Sequence, residues 1–348
     1  MSQISDLLCR SPELFPQGLD LETDSLRLLR LSEADYAKAS FLDDRLLTAG
    51  TPTRPLPFGD AQAAATEGKL PEACHFIFHI SHVGSTLLSR LLGRHGGVLS
   101  IREPMPLRLL AQMRAEPDLL PRSWSEAAFE DHLSTLLKLW SRTFRPDQIA
   151  VVKASSFASE LAADILRRAY QPKAIFMFVP PEVFLATILG AANSQKDMQV
   201  LGPMRLKRLQ RALGEPPQNP ATMGELVAMS WASEMASLMA ALPASRDRIL
   251  WLDFDRFLAD PHTALSACFK HLAAGASDGE IAAILSGPDM LRYSKAQEYD
   301  YDAKLRSDVL AQARTTHDAE IRRGLEWLEK ISARHSLIEG AVTLSGAS

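Results

Sequence analysis

The chain has 348 residues, 46% of them hydrophobic, with 38 basic against 42 acidic side chains and a formal net charge of −4. That hydrophobic share supports a sizeable core, and the mild negative balance sets up no global field for nucleic acid. No apolar run approaches the ~20 residues that a membrane helix needs.

The first residues, MSQISDLLCRSPELFPQG, lack a basic flank followed by an apolar core, so no secretion signal is expected. Cys9, Cys74 and Cys268 are far apart and form no metal-spaced pair. They read as reduced thiols of a cytoplasmic protein. Residues 1–70 are polar, with prolines at 52, 55 and 57. Helices are expected near 21–30 and 32–48, the second opened by Ser32 and the acidic Glu33 and Asp35. This stretch reads as a helical extension packed on a main domain that spans 71–348.

From residue 71 the pattern changes. Continuous apolar runs at 75–80, 98–101, 149–154, 173–179 and 249–254 read as strands buried on both faces. Amphipathic helices are expected near 84–95, 106–115, 125–143, 156–170, 181–194 and 222–241. Such alternation implies a three-layer α/β fold, with a mostly parallel central sheet covered by helices on both faces. Ser277 and Glu280 form a capping box for a helix over 278–286. Residues 302–335 read as helical and strongly charged, closing the C-terminal side.

The stretch HFIFHISHVGSTLLSRLLGRHGG, residues 75–97, runs strand, loop, helix. That is the outline of a phosphate-binding loop, usually G-x-x-x-x-G-K-[ST]. Here His79 stands for the first glycine and Ser85 for the lysine. The amides of about residues 82–87 would point into one concavity, which a helix dipole makes anion-binding. Gly84 would let a phosphate approach closely, and Ser85 and Thr86 add hydroxyl donors. The plainer alternative is that Gly84-Ser85-Thr86 merely starts a helix. In triphosphate enzymes the missing lysine reaches the β/γ-phosphates and an acidic residue helps to hold Mg²⁺. A shorter phosphate chain therefore suits this loop better, with no metal required.

Ser81-His82-Val83-Gly84-Ser85-Thr86-Leu87-Leu88 resembles, without a gap, the 5′-phosphosulfate loop of the sulfotransferase family, which reads like P-K-S-G-T-T or R-S-G-S-T. In that family the basic residue precedes the glycine, and here His82 holds that position. Arg102-Glu103-Pro104 resembles the E-P after the family's second strand, and Val151-Val152-Lys153 resembles a strand ending in lysine. Trp231 and the segment from Leu252 to Pro261, with its D-P, extend the similarity over about 72–275. The resemblance implies a P-loop NTPase-like fold. It also implies sulfuryl transfer from 3′-phosphoadenosine 5′-phosphosulfate (PAPS) to a hydroxyl or amine of a small-molecule or peptide acceptor. No nucleic acid or membrane partner is implied. The family's second nucleotide motif departs here. Its arginine position reads Phe178, and its serine falls near Ala186 or Thr187, so the 3′-phosphate clamp is missing from its expected place.

The candidate site follows from these matches. His82, Val83, Gly84, Ser85, Thr86 and Leu87 would hold the donor's phosphosulfate. His82 would either stabilise the leaving phosphate when protonated or donate an ordinary hydrogen bond. Lys153 emerges at the carboxyl edge, as a catalytic cation, as a salt-bridge partner or as a solvated strand end. Glu103 is read as general base or as an ion-pair partner of Arg102 or Lys153. Arg292 or Lys295, beside the tyrosine-rich stretch YSKAQEYDYDAK, would replace the missing 3′-phosphate contacts. His79 reads as a satisfied core residue. Arg90, Arg94 and the run Lys196, Arg205, Lys207, Arg208 and Arg211 read as solvated helix faces. Arg322-Arg323-Gly324, superficially like the family's R-K-G, falls inside a helical pattern and reads as chance. The acceptor would be shaped by loops at 103–125 and 195–222. Two other readings stand beside this one: a kinase-like enzyme using ATP, and a non-catalytic nucleotide-binding protein that keeps the fold.

Overall fold

The computed structural model describes residues 3–116 and 124–347. Near the N-terminus, β1 (Leu14–Asp20), β2 (Ser25–Arg30) and β3 (Thr53–Pro57) pair antiparallel in one small sheet. The five apolar runs become β4 (His75–His79), β5 (Val98–Arg102), β6 (Ile149–Lys153), β7 (Ala174–Phe178) and β8 (Ile249–Asp253). They pair in the order β5-β6-β4-β7-β8, and every pairing is parallel. All residues of β5 and β7 are buried, which is why β7 is apolar throughout rather than alternating, while the Ser100 and Arg102 side chains of β5 are buried with hydrogen-bond partners.

β4 sits at the centre, with β5 and β6 to one side and β7 and β8 to the other. The chain therefore changes direction across the sheet at β4, and the crevice at its carboxyl end is where open α/β sheets bind ligands. The fold is the expected α/β arrangement, with helices between the strands. Glu126–Trp140, Met223–Met239 and Asp318–Ser332 each bring one fully buried tryptophan to the core: Trp140, Trp231 and Trp327.

The N-terminal stretch is not the helical extension that the sequence suggests. Ser25–Arg30 is a strand, and of the expected second helix only Glu33–Lys38 is α-helical, with a short 3-10 turn at Asp44–Leu46. Its capping box of Ser32 and Asp35 is present. The run SLRLLR suits either period. Pairing with both neighbours decides for the strand, as tertiary context commonly does for short apolar runs. The extension does pack on the main domain. Leu14, Phe15 and Leu26 share one continuous core with Phe76 and Leu136.

The other difference lies at 195–222, expected as a loop. Ala192–Leu213 is a helix of 22 residues with Pro203 inside it. Its polar composition and the proline hide its period. Of the segment 103–125, Met105–Ala115 is helical, and residues 117–123 lie outside those described.

Candidate functional site at the carboxyl edge of the sheet

β4 ends at His79, which is buried. Its Nδ1 accepts the Ser81 N–H at 3.0 Å, so Nε2–H donates to the Ala154 carbonyl at 3.0 Å. Burial, with Lys153 and Lys295 nearby, holds His79 well below its ordinary pKa. It is the satisfied, neutral residue that the sequence suggests. It turns the chain where other phosphate loops use glycine.

The loop then passes through left-handed backbone at Ser81 (φ 76°), His82 (φ 53°) and Gly84 (φ 67°). Two of these are not glycine, and such strain concentrates at binding sites. The helix Ser85–Leu92 follows, with Gly84 at its N-cap and no side chain capping it. The first-turn amides thus have no partner from a cap. The Thr86 Oγ1 is buried and also lacks a hydrogen-bond partner. A carbon added at Gly84 would lie 2.0 Å from Cε2 of Phe254. Glycine is needed here for its φ and for the aromatic ring seated on it, rather than for an open approach to a phosphate at that face.

This loop walls a cavity of about 270 Å³. His82 to Leu87, Lys153, Arg292 and Lys295 all line it. Glu103 does not line it but is joined to it through Lys153, its ion-pair partner. Glu103 follows β5 in left-handed backbone (φ 54°), and its amide donates to the Lys153 carbonyl at 2.7 Å. Arg102 turns the other way. It is buried against the N-terminal unit, where its Nε donates to the Ala39 carbonyl at 2.7 Å. Burial draws the Lys153 ammonium below its ordinary pKa, against the pull of Glu103.

The charge state of His82 follows from its surroundings. Burial first, then Lys295 and Arg205, push its pKa down to about 3. In the free protein His82 is therefore a neutral hydrogen-bonding group near neutral pH, not a cation. Lys295 makes no ion pair among the described residues. Desolvation and the neighbouring Lys153 lower its pKa, while Glu103 opposes them. Its surface remains partly open to water, which screens the effect. Arg292 is already paired with Asp300, at 3.2 Å.

Several cations are not where sequence reasoning puts them. Arg90 is buried rather than solvated: its Nε donates to the Ser294 carbonyl at 2.8 Å and its Nη2 to Ser40 Oγ at 2.7 Å. Arg94 is half-exposed and paired with the buried Asp289 at 2.6 Å. Arg205 and Arg208 are buried too, bonded to Glu234 and Glu160 at 3.0 and 2.9 Å. A basic run on a helix looks the same in sequence whether its partners are water or distant carboxylates. Two further site residues, Phe254 and Arg306, escape sequence reading altogether. Arg306 is buried on the cavity wall, paired with Asp255 at 2.8 Å and lying over the Phe254 ring at 5.2 Å. Nothing in its charged helix distinguishes it from its neighbours.

Among the described residues no group of three or more His, Cys, Asp or Glu side chains is placed to hold a metal ion. No helix among them is long and apolar enough to cross a membrane.

No protein-family model matches the chain, and no curated protein matches it by sequence. Solved structures do. The sulfotransferase domain from the curacin biosynthetic pathway is 15% identical, with 71% of this chain and 97% of that one covered at a TM-score of 0.40. The sulfotransferase domain of the Synechococcus PCC 7002 olefin synthase is 14% identical, covering 69% and 86% at 0.39. A sulfotransferase from Alicyclobacillus acidocaldarius is 15% identical, covering 72% and 96% at 0.36. Likenesses this remote carry no weight for function, and the fold assignment rests on the strand order and parallel pairing of the chain itself.

Proposed function

We propose that the protein is a sulfotransferase that moves a sulfuryl group from PAPS to a hydroxyl or amine of a small-molecule or peptide acceptor. The observation that carries this reading is Thr86. Its buried hydroxyl has no protein partner, at the first turn of an uncapped helix beside two lysines. A sealed, unpaired hydroxyl at a helix N-terminus is what an anion oxygen would complete.

The bound donor supplies an activated sulfuryl group on a phosphate. The residues of this chain position it and balance its charge, which is most of what such transfer needs. The amides of 83–87 and the Thr86 hydroxyl hold anionic oxygens. Lys153, at the end of β6, and Lys295, in the tyrosine-rich segment, offset their charge. His82 in its neutral form donates one hydrogen bond, and an anion beside it favours its protonation. Glu103, outside the cavity, acts through Lys153, whose ammonium its carboxylate holds in place.

Calorimetric titration of the full chain with adenosine 3′,5′-bisphosphate, ATP and ADP tests the proposal. The bisphosphate, the product form of the donor, is expected to bind without added metal. Binding of ATP alone, with Mg²⁺, would replace this reading with a kinase-like one. A well-folded protein that binds none of the three would not be a nucleotide-dependent transferase.

A further inference from the structure

A separate cavity of about 190 Å³ lies between the edge strand β5, the end of helix Ser85–Leu92 and the short helix Glu33–Lys38. Arg90, Arg94 and Arg102 all line it, and none of them lines the candidate site. Arg90 and Arg102 are buried, yet neither makes an ion pair among the described residues. Arg102 donates only to uncharged oxygens. These are the carbonyls of Tyr36, Ala37 and Ala39, at the end of the short helix, and the Ser100 hydroxyl at 3.2 Å. Arg90 likewise donates through Nε and Nη2 to oxygens of Ser294, Ser40 and Lys38. The carboxylate that the three arginines share is Asp289, paired with Arg94 at 2.6 Å and felt by Arg90 and Arg102. Glu33, also on the wall, is matched by Arg145 at 2.8 Å. Three guanidiniums against one carboxylate leave an excess of two positive charges. Bonds to carbonyls satisfy the donors without cancelling the charge, and a buried charge that lacks a counter-ion is costly. Burial first, then Arg90, push Arg102 down to about 9, with Asp289 opposing.

We propose that this cavity is a second anion site, which takes one small tetrahedral dianion of the sulfate or phosphate class. Such an ion carries the two negative charges that the cluster lacks. The donors left for its oxygens are Nη1 of Arg90 and both Nη atoms of Arg94, which bond no protein group among the described residues. Guanidinium forks suit the oxygens of such ions. Arg102, with its donors already bonded, contributes charge alone. Arg94 is half-exposed, so the ion enters from solvent. The hydroxyls on the wall are occupied. Tyr36 donates to the Pro12 carbonyl at 2.8 Å, and Ser100 is bonded to Ser89 and Arg102. Nothing is left there for a base or a sugar, so the ligand is the free ion. The site does not depend on the function proposed above. Arg90 also holds the Ser294 carbonyl at 2.8 Å, next to Lys295, so an ion here steadies that wall of the candidate cavity.

The test is modification of the full chain by phenylglyoxal, which attacks accessible guanidiniums, read out by peptide mass mapping. Sodium sulfate and sodium phosphate are compared with sodium chloride at one ionic strength. Each dianion is expected to slow modification of Arg94 saturably, by about tenfold at about ten times its dissociation constant. The exposed Arg54 should react at an unchanged rate. An Arg94 rate that neither dianion changes overturns the proposal, as does chloride that protects equally well. Arg90→Gln removes one donor and leaves Arg94 to report. About tenfold more sulfate should then be needed for the same protection, and an unchanged requirement would mean that no cluster binds the ion. Thr86→Val separates this site from the loop, and protection of Arg94 should persist in it. Loss of protection in that variant would place the ion at the loop and overturn the proposal.

Discussion

A hydroxyl sealed from water without a partner costs about 1–3 kcal/mol, and Thr86 carries one on the cavity wall. Replacing it with valine removes the unsatisfied group at nearly constant volume. Thr86→Val is therefore expected to leave the stability of the free protein unchanged or raised. If the hydroxyl exists for an anion, the same change weakens nucleotide binding about tenfold or more. Chemical denaturation and titration on one sample measure both. A loss of stability with unchanged binding would mean that the hydroxyl serves the fold. Thr86 and Gly84 were legible in the sequence because loop chemistry is local. The state of His82 was not. Its drop to about 3 comes from burial, Lys295 and Arg205, and the two cations reach it only through the fold. Arg306 was illegible for the same reason, since its partner Asp255 belongs to a different helix.

The five parallel strands were readable because each is a short apolar run buried on both faces, and the strand boundaries agree to within a residue or so. The small antiparallel sheet was not, since β2 carries a pattern that a helix could also use and only its neighbours choose. The segment from Arg292 to Tyr301 is a third kind of case. It is tied back on itself by the Arg292–Asp300 bridge and the Tyr293–Tyr301 ring contact at 5.6 Å. Its main tie to the loop helix is Arg90, through the Ser294 carbonyl. That one bond fixes the backbone next to Lys295. Arg90→Gln is expected to speed amide exchange across 293–301 by about tenfold, the equivalent of one lost charge-assisted bond, while β4 stays protected. Exchange that rises equally in β4 and in this segment would mean that Arg90 supports the whole domain rather than the strap. Arg90→Lys, which keeps a donor but not the fork, should fall between the two.

Across the whole molecule, the histidines are the groups that link stability to mild acid. Burial holds His75 at about 4 and His82 at about 3, and holds His79 well below its ordinary value. Lys173 adds to the effect at His75, and Lys153 and Lys295 add to it at His79. All three folded-state values lie below the unfolded value of about 6.5. The unfolded chain therefore binds more protons than the folded one between about pH 6.5 and 4. The stability these neutral histidines support is fully present above that window and is lost as pH falls through it. Each contributes a slope of up to about 1.4 kcal/mol per pH unit, or about 4 kcal/mol per unit where all three act together. Asp255, whose pKa burial raises, acts in the opposite sense and offsets part of this loss. Urea denaturation at a series of pH values should show the midpoint falling steeply below about pH 6. A bound anion at the loop should flatten that fall by favouring the protonated form of His82, so inorganic pyrophosphate is expected to protect the protein more at pH 5 than at pH 7. A midpoint that stays level between about pH 7 and 5 would mean that these rings are more hydrated than their burial implies. In that case the neutral role given to His82 would have to be abandoned.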